Sequence, residues 1–215
     1  MNDIIRADDA DAGRLSQVIA DAFIDLPPSR WLIADRAARR DVFPGYFLMF
    51  VEHALANGVV HTTPDRSAVA VWQFVGDGHE AGPADYDERL AALTEPWTHR
   101  FIAFDAALDR CHPVGIPYHY LAMIAVRPDR QGAGTGAELL RSYHQVIDKQ
   151  EGALAYLEAS SERVHSLYLR HGYALLPRGD SPFYLPDGGP PMWPMVRRGR
   201  RGVDPVHPAG KTTCQ

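Results

Sequence analysis

Cysteine is scarce in this chain of 215 residues, which contains only Cys111 and Cys214. Two cysteines cannot build the disulfide framework of a small secreted domain, and this scarcity favours a reducing compartment. No apolar run approaches the roughly 18 residues that span a bilayer, and the first residues lack the apolar segment of a secretory signal. We therefore expect a cytoplasmic protein that has no membrane partner.

An excess of positive charge is also missing. The 27 acidic residues outnumber the 22 basic ones, which leaves a formal net charge of −5 at pH 7. A general binder of nucleic acid depends on basic residues that displace counterions, so no nucleic-acid partner is expected. The ten histidines are scattered and form no cluster at ligand spacing, so no metal is expected either.

The remaining composition is that of a globular protein. Hydrophobic residues make up 46% and charged residues 23% of the chain, which excludes a disordered or coiled-coil protein. The length fits one domain with an appendage. Beyond Arg197, a basic run leads into a Gly, Pro and Thr-rich stretch that is typical of a solvated tail. We predict one domain over residues 1–198 and a polar tail over 199–215.

Hydrophobic periodicity predicts strands and helices in alternation, as in an α/β domain. The predicted strands cover residues 4–6, 58–62, 67–75, 118–126, 153–158, 173–176 and 192–196. The predicted helices cover residues 15–26, 37–56, 83–112, 132–150 and 161–171. A break or kink is expected at Pro44 and Gly45, and an interruption is expected near Pro96.

The most informative segment is residues 127–136, here called the glycine loop, which reads Arg-Pro-Asp-Arg-Gln-Gly-Ala-Gly-Thr-Gly. Its glycines allow backbone amides to approach a ligand, and the start of the next helix adds free N–H groups and a partial positive charge. A phosphate group suits such a site, although the glycines could also form only a tight turn. The loop lacks the Gly-Lys-Ser/Thr ending of a nucleoside triphosphate site.

A dinucleotide-binding motif is a second interpretation of the same glycines. Gly132, Gly134 and Ala137 fit the pattern G-x-G-x-x-G/A, and Glu158 follows about twenty residues later. In that fold the first glycine comes directly after the strand, whereas residues 127–131 intervene here. The chain after the loop is also too short to complete a doubly wound sheet, so an oxidoreductase is disfavoured.

Two ordered motifs resemble the GCN5-related N-acetyltransferase (GNAT) family. Gln131-Gly-Ala-Gly-Thr-Gly136 is similar to the family signature Gln/Arg-x-x-Gly-x-Gly/Ala, and Leu167-Tyr-Leu-Arg-His-Gly-Tyr173 resembles a later helix ending. The resemblance implies one α/β domain with a central mixed, mostly antiparallel sheet that is splayed between its two central strands and flanked by helices. Residues 22–30 and 68–72 also resemble the branch of puromycin N-acetyltransferase.

This resemblance implies direct transfer of an acetyl group from acetyl-CoA to a primary amine of a small molecule. Pantetheine would fill the gap beside the strand 118–126, and the glycine loop would hold the diphosphate. The implied donor-binding residues are Ile124, Ala125, Val126, Arg127, Arg130, Gln131, Gly132, Ala133, Gly134, Thr135, Gly136, Ser161 and Tyr168. Ser161 stands where the family often has Asn, and the arginines could equally be exposed turn charges.

The resemblance also implies catalytic roles. The N–H of Ile124 would polarise the thioester carbonyl, and Tyr168 would donate a proton to the departing thiolate. Tyr120 occupies the position of a glutamate base in some branches, so Glu158 and His119 are the nearby alternatives. Judged as residues alone, Tyr168 could pack in the core, Glu158 could be a buried hydrogen-bonding group and His119 could be structural.

The N-terminal helices cover the acceptor side in the family, so we predict that the acceptor contacts Leu26, Trp31, Tyr46, Phe47 and His119. Asp105 and Asp109 are four residues apart on a predicted helix, and they could face a cationic acceptor or form an exposed acidic face. The alternative function is a non-catalytic acyl-CoA-binding or sensing module. The sequence leaves open the acceptor, the general base, the acyl length, and whether the protein is a monomer or a homodimer.

Overall fold

A computed structural model describes residues 3–76, 82–176 and 182–200. Within these residues the strands are β1 (Ile5–Arg6), β2 (Val59–Thr62), β3 (Ala68–Val75), β4 (Tyr118–Val126), β5 (Leu154–Ala159), β6 (Ala174–Leu175), β7 (Phe183–Tyr184) and β8 (Pro191–Arg198). The helices are α1 (Ala12–Phe23), α2 (Pro27–Leu32), α3 (Arg36–Asn57), α4 (Tyr86–Thr94), α5 (Thr98–Asp109), α6 (Thr135–Ile147) and α7 (Glu162–Arg170). Among the helices of these ranges, none is both long and apolar enough to cross a bilayer.

The strands form one mixed, mostly antiparallel sheet in the order β1-β2-β3-β4-β5-β8-β6, with β7 paired to β8. Of the pairings along this path, only β4 with β5 is parallel. That ladder comprises two residue pairs, His119 with Ala155 and Tyr120 with Tyr156. Beyond Tyr120 the two strands diverge although both continue. The predicted fold class, including the splay between the central strands, is confirmed.

A bulge in β4 changes which side chains face each side of the sheet. Val71 pairs with Met123 and Trp72 with Leu121, so Ala122 has no counterpart on β3. An extra residue reverses the alternation of side chains that a regular strand would follow. Leu121 and Ile124 therefore both pack on the α6 side, although they are three residues apart.

Helices cover both faces of the sheet. One core lies between the sheet and α1, α3, α4 and α5, and includes Leu15, Ile19, Phe43 and Phe101, all fully buried. A second core lies under α6 and α7, where the Trp72 ring stacks on Tyr143 with 4.3 Å between centroids. These two layers fix the positions of β4 and β5, whose divergence creates the space described below.

The largest departures from the predicted elements occur at prolines and glycines. Pro27 does not merely end a helix but begins α2, because the first turn of a helix needs no N–H from that residue. Of the predicted break or kink at Pro44 and Gly45, the break does not occur, since α3 continues through Pro44. Arg40, whose carbonyl loses its partner there, is exposed, so solvent can take the place of the missing N–H.

The C-terminal part of the chain differs from the prediction in two strands. The last strand is longer than predicted and extends to Arg198, and the short strand β7 was not predicted. Residues 201–215, which include Cys214, lie outside the described residues. The boundary at residue 198 and the polar tail therefore stay predictions.

Candidate active site

The divergence of β4 and β5 opens a cavity of about 640 Å³ that extends from the glycine loop to the helices α1, α2, α3 and α5. Its far end, here called the apolar end, is lined by Phe23, Leu26, Leu32, Tyr46, Phe47, Phe50, Phe104, Leu108 and Met192. One continuous space therefore connects a loop rich in backbone amides with an apolar chamber.

The glycine loop adopts a backbone that favours glycine at two positions. Gly132 and Gly134 have φ of +87° and +86°, in the left-handed region. A Cβ at either residue would meet no atom within 4 Å, so the space around them is open. Gly134 is also the N-cap of α6, which is why that helix begins later than predicted. The open loop and the free amides of the first turn suit an anionic ligand such as a diphosphate.

The exposed edge of β4 presents backbone donors to the cavity. Arg127 N–H donates to Ser67 O on the β3 side at 2.8 Å. Successive N–H groups along a strand point to opposite sides, so those of Val126 and Ile124 point into the gap between β4 and β5. These amides lie where an extended ligand could add to the sheet edge, as the predicted role of Ile124 requires.

Most of the predicted donor-binding residues line this cavity, and Arg127 and Ala133 do not. Arg127 is tied to Asp129 by an ion pair of 2.9 Å on an exposed turn, which agrees with the alternative interpretation of its charge. Arg130 lines the cavity and is 63% exposed at its side chain, so it can reach solvent-facing ligand groups. Ser161 lines the cavity while its hydroxyl caps α7 by accepting from Val164 N–H at 3.5 Å.

Tyr168 lies on α7, is 4% exposed and lines the cavity. Its ring packs edge-on against Tyr173, with 5.6 Å between centroids. Burial raises the pKa of Tyr168 well above its usual value, and the nearby charge of Glu158 adds to the effect. The hydroxyl is therefore protonated at any physiological pH, and it can act as a hydrogen-bond donor inside the cavity.

Glu158 is an acidic group of the cavity whose side chain is buried, at 4% exposed. Its Oε2 accepts from the Tyr120 hydroxyl at 3.0 Å. Its Oε1 lies 3.2 Å from His112 Nε2, within ion-pair distance but without good hydrogen-bond geometry. His112 Nδ1 in turn lies 2.7 Å from the Tyr118 hydroxyl. These contacts hold the carboxylate in place at the edge of the gap.

The contact with Glu158 changes the pKa of His112. Burial alone would lower the pKa of His112, but contact with the Glu158 carboxylate outweighs it and the net shift is upward. The charge of Glu158 also contributes to the raised pKa of Tyr120, where burial is the main cause. Sequence reasoning missed His112 because it lies in the irregular segment before β4, where no motif marks it.

Three of the predicted acceptor contacts, Leu26, Tyr46 and Phe47, line the apolar end. Trp31 does not, and this placement corrects its predicted role. Its indole N–H donates to Pro186 O at 3.1 Å, and the guanidinium of Arg100 lies 5.3 Å from its ring centroid. The side of α2 that meets the cavity carries Pro28 and Leu32 instead.

His119 is also away from the cavity, contrary to the predicted acceptor contact. It is 5% exposed on the α6 side of the sheet, as its alternation along β4 requires. Its Nδ1 lies 3.1 Å from the Tyr143 hydroxyl and its Nε2 lies 3.0 Å from Gln150 Oε1. Burial lowers its pKa. Both nitrogens are thus occupied in a structural role, and His119 is not placed to act as the base.

Asp105 lines the apolar end, so the interpretation as an exposed acidic face is wrong for this residue. Its Oδ2 accepts from the Tyr86 hydroxyl at 2.7 Å. Burial is the largest cause that raises the pKa of Asp105, to about 6, with help from the charges of Asp109 and Asp87. Asp109 is exposed, as that interpretation expected.

Part of the chain matches a known protein family. Residues 97–175 match the family model described as the acetyltransferase (GNAT) domain. This central part of the chain is therefore similar to a GNAT acetyltransferase domain. The matched region contains β4, the glycine loop, Glu158 and Tyr168. The GNAT match supports an acyltransferase enzyme.

Solved structures share the fold over nearly the whole chain. A histone acetyltransferase HPA2 and related acetyltransferase from Corynebacterium glutamicum is 22% identical with a TM-score of 0.68, over 96% of this chain and 100% of that one. Arylalkylamine N-acetyltransferase 2 from Aedes aegypti is 10% identical with a TM-score of 0.62, over 91% and 98%. The apo form of an agmatine N-acetyltransferase mutant is 15% identical with a TM-score of 0.56, over 91% and 98%. The GNAT fold thus extends beyond the matched region.

Proposed function

We propose that this protein transfers an acetyl group from acetyl-CoA to a primary amine of a small molecule. The observation that carries the proposal is one cavity that joins the glycine loop and the open edge of β4 to a buried carboxylate, Glu158. The diphosphate of the donor would lie on the amides of the glycine loop, and its pantetheine arm would pair with the edge of β4. The amine would enter from the apolar end.

The proposed reaction is a direct attack. The nitrogen of the amine forms a bond to the thioester carbon, the bond from carbon to sulfur breaks, and CoA leaves as the thiolate. The N–H of Ile124 points into the gap and would stabilise the oxyanion, a contribution of about 3 kcal/mol for one such donor. Glu158 would take the proton from the amine, and the Tyr168 hydroxyl would donate to the departing sulfur.

A thiol-release assay tests the proposal. The protein is mixed with acetyl-CoA and a panel of aminonucleosides, aminoglycosides, polyamines and amino acids, and free CoA is measured with the acetylated product. We expect at least one amine class to raise thiol release well above uncatalysed hydrolysis. Thermal protection by CoA with no acetylated product would instead indicate the acyl-CoA-binding or sensing module, and protection by NAD would indicate the dinucleotide interpretation.

The panel includes aminonucleosides because residues 22–30 and 68–72 resemble the puromycin N-acetyltransferase branch. Among these residues, Leu26 and Pro28 line the apolar end, and Trp72 packs on the α6 side of the sheet. Membership of the branch is thus a finer proposal than the acetyl transfer itself. It predicts that an aminonucleoside is acetylated with a better kcat/KM than an aminoglycoside of similar size.

The Gly134→Ala variant is expected to raise the KM for acetyl-CoA about tenfold. Alanine in the left-handed region costs roughly 1–2 kcal/mol, so the loop would shift its amides to relieve that strain. A loss of about 1.4 kcal/mol in donor binding corresponds to tenfold. The measurement is a titration of acetyl-CoA at saturating amine.

Gly152→Ala is the matched control for this prediction. Gly152 also has a positive φ, of +70°, with open space around its Cβ position, but it lies in the turn before β5. It should lower stability by a similar amount and leave the KM for acetyl-CoA within about twofold. Equal KM values for both variants and the wild type would remove the glycine loop from the donor site.

A further inference from the structure

Two acidic side chains from different elements line the cavity. Asp105 comes from α5 at the apolar end, and Glu158 comes from β5 at the gap between the strands. Apolar and aromatic side chains, including Tyr46, Phe104 and Leu108, form the walls beside Asp105. An isolated carboxylate in such surroundings is unfavourable unless a cation or a sufficient set of hydrogen bonds compensates it.

Few groups among the described residues stabilise the negative charge of Asp105. Only its Oδ2 has a hydrogen bond, from Tyr86, within the described part of the chain. In the same ranges, no lysine, arginine or histidine pairs with it, and the charges that act on it are those of Asp87 and Asp109, which are also negative. Within the described residues, Asp105 is therefore a carboxylate at the cavity wall that has no positively charged partner.

Glu158 is the second carboxylate that lines the cavity. Its side chain is almost completely buried and lines the cavity, and among the described residues the polar contact of its Oε1 is the one with His112 Nε2 at 3.2 Å, which lacks good hydrogen-bond geometry. The charges of both Glu158 and Asp105 act on the buried hydroxyl of Tyr120. The charge of Glu158 is not among the main influences on Asp105 itself. The two carboxylates are thus separated along the cavity, with Tyr120 within electrostatic reach of each.

We propose that the acceptor carries two basic nitrogens, so that one amine reacts beside Glu158 while a second, charged nitrogen binds Asp105. The substrate class is then a small diamine with an apolar spacer that matches the walls of the apolar end. In this proposal Asp105 is a specificity-determining residue that does not touch the reacting atoms. The inference rests on the proposed acetyl transfer and narrows its acceptor.

The test compares two homologous series, linear α,ω-diamines and n-alkylamines of equal chain length, in the thiol-release assay with the wild type and Asp105→Asn. The wild type should prefer the best diamine over its matched monoamine by about ten- to hundredfold in kcat/KM, the factor that a charge-assisted hydrogen bond contributes. Asp105→Asn should abolish that preference, because its kcat/KM for the diamine falls by about the same factor. Asparagine is close in size and its oxygen can still accept from Tyr86.

Asp109→Asn is the matched control, since it removes the same charge from the exposed side of the same helix. It should keep the preference for diamines. If Asp105→Asn retains the wild-type preference, or if the wild type acetylates diamines and monoamines equally well, the inference is overturned.

Calorimetry in the absence of acetyl-CoA, with the α,ω-diamine that binds the wild type most tightly, separates this inference from the proposed function. Binding that weakens about tenfold or more in Asp105→Asn supports the diamine site even if no amine is acetylated, a result that would overturn only the proposed reaction. Acetylation of monoamines alone, with diamine binding unaffected by Asp105→Asn, would leave the reaction standing and remove the diamine site.

Discussion

The Tyr168→Phe variant is expected to lose about 10²- to 10³-fold in kcat and to keep its affinity for acetyl-CoA within about twofold. The phenol lies inside the cavity and would donate to the sulfur only as negative charge develops there. Loss of one donor of this kind, preorganised in a dry site, costs about that factor in kcat. The ring, which carries the packing against Tyr173, remains in the variant.

The raised pKa of Tyr168 limits how far its hydroxyl can transfer a proton to the departing thiolate. Because burial and the charge of Glu158 raise its pKa, the phenol holds its proton more tightly than a free phenol does. Full transfer to a free thiolate is therefore uphill. The role that fits is a hydrogen bond that strengthens while the bond from carbon to sulfur breaks, with the proton moving late if it moves at all.

Tyr173→Phe is the control for this variant. It removes a buried hydroxyl from the same aromatic pair, but that hydroxyl bonds His144 Nε2 at 3.1 Å and does not line the cavity. It should cost about 1 kcal/mol of stability and change kcat less than twofold. Single-turnover measurement of thiol release with saturating amine gives the comparison directly. A Tyr168→Phe variant as fast as wild type would remove the hydroxyl from the reaction.

Local sequence signals located the donor half of the candidate site. The strand over 118–126 was predicted with the bounds that β4 has, because its apolar residues are flanked by Pro117 and Pro128. The glycine loop was identified because its residue types report the backbone conformation directly, and Gly132 and Gly134 do have positive φ. Such information is contained in a few neighbouring residues, so no knowledge of distant contacts is needed.

The side of the sheet on which His119 lies cannot be derived from its neighbours in the sequence. Its side of the sheet follows from alternation, but the bulge at Ala122 changes that alternation for the rest of β4 and is set by pairing with β3. A strand read as regular would put His119 on the same side as Met123, which packs under α1 and α3. The observed side carries α6 instead.

His112 and Asp105 show the same limit for the acceptor half of the candidate site. Asp105 and Asp109 are one helical turn apart, which suggests a common environment, yet one lines the cavity and the other is exposed. The difference arises where α5 passes over the edge of the cavity, a matter of tertiary packing. His112 meets Glu158 because the fold brings it against β5, where its ring also lies 4.9 Å from that of Tyr156, and neither His112 nor Glu158 carries a local signal of that contact.

The Glu158→Gln variant is expected to lose about 10²- to 10⁴-fold in kcat/KM for the amine at about pH 7, the range for loss of a general base. An alkyl amine with a pKa near that of lysine is almost entirely protonated at this pH, so a proton must leave before the nitrogen can attack. Glutamine keeps the size of the side chain and can still accept from Tyr120, but it cannot take that proton.

The pH dependence of this loss distinguishes a base from a structural residue. As pH rises toward the pKa of the amine, the unprotonated fraction in solution grows about tenfold per pH unit, so the need for a base falls. The deficit of Glu158→Gln should therefore shrink by about tenfold or more between about pH 7 and about pH 9. Loss of packing alone would give the same deficit at both pH values.

Glu162→Gln is the control, because Glu162 is exposed at the start of α7, close to Glu158 in sequence but outside the cavity lining. It should match the wild type at both pH values. Denaturant midpoints for the two variants show whether the buried substitution has weakened the fold, which would lower activity at every pH. A deficit that stays constant as the amine is deprotonated would assign the proton to water and leave Glu158, with His112 and Tyr120, as a positioning group for the acceptor.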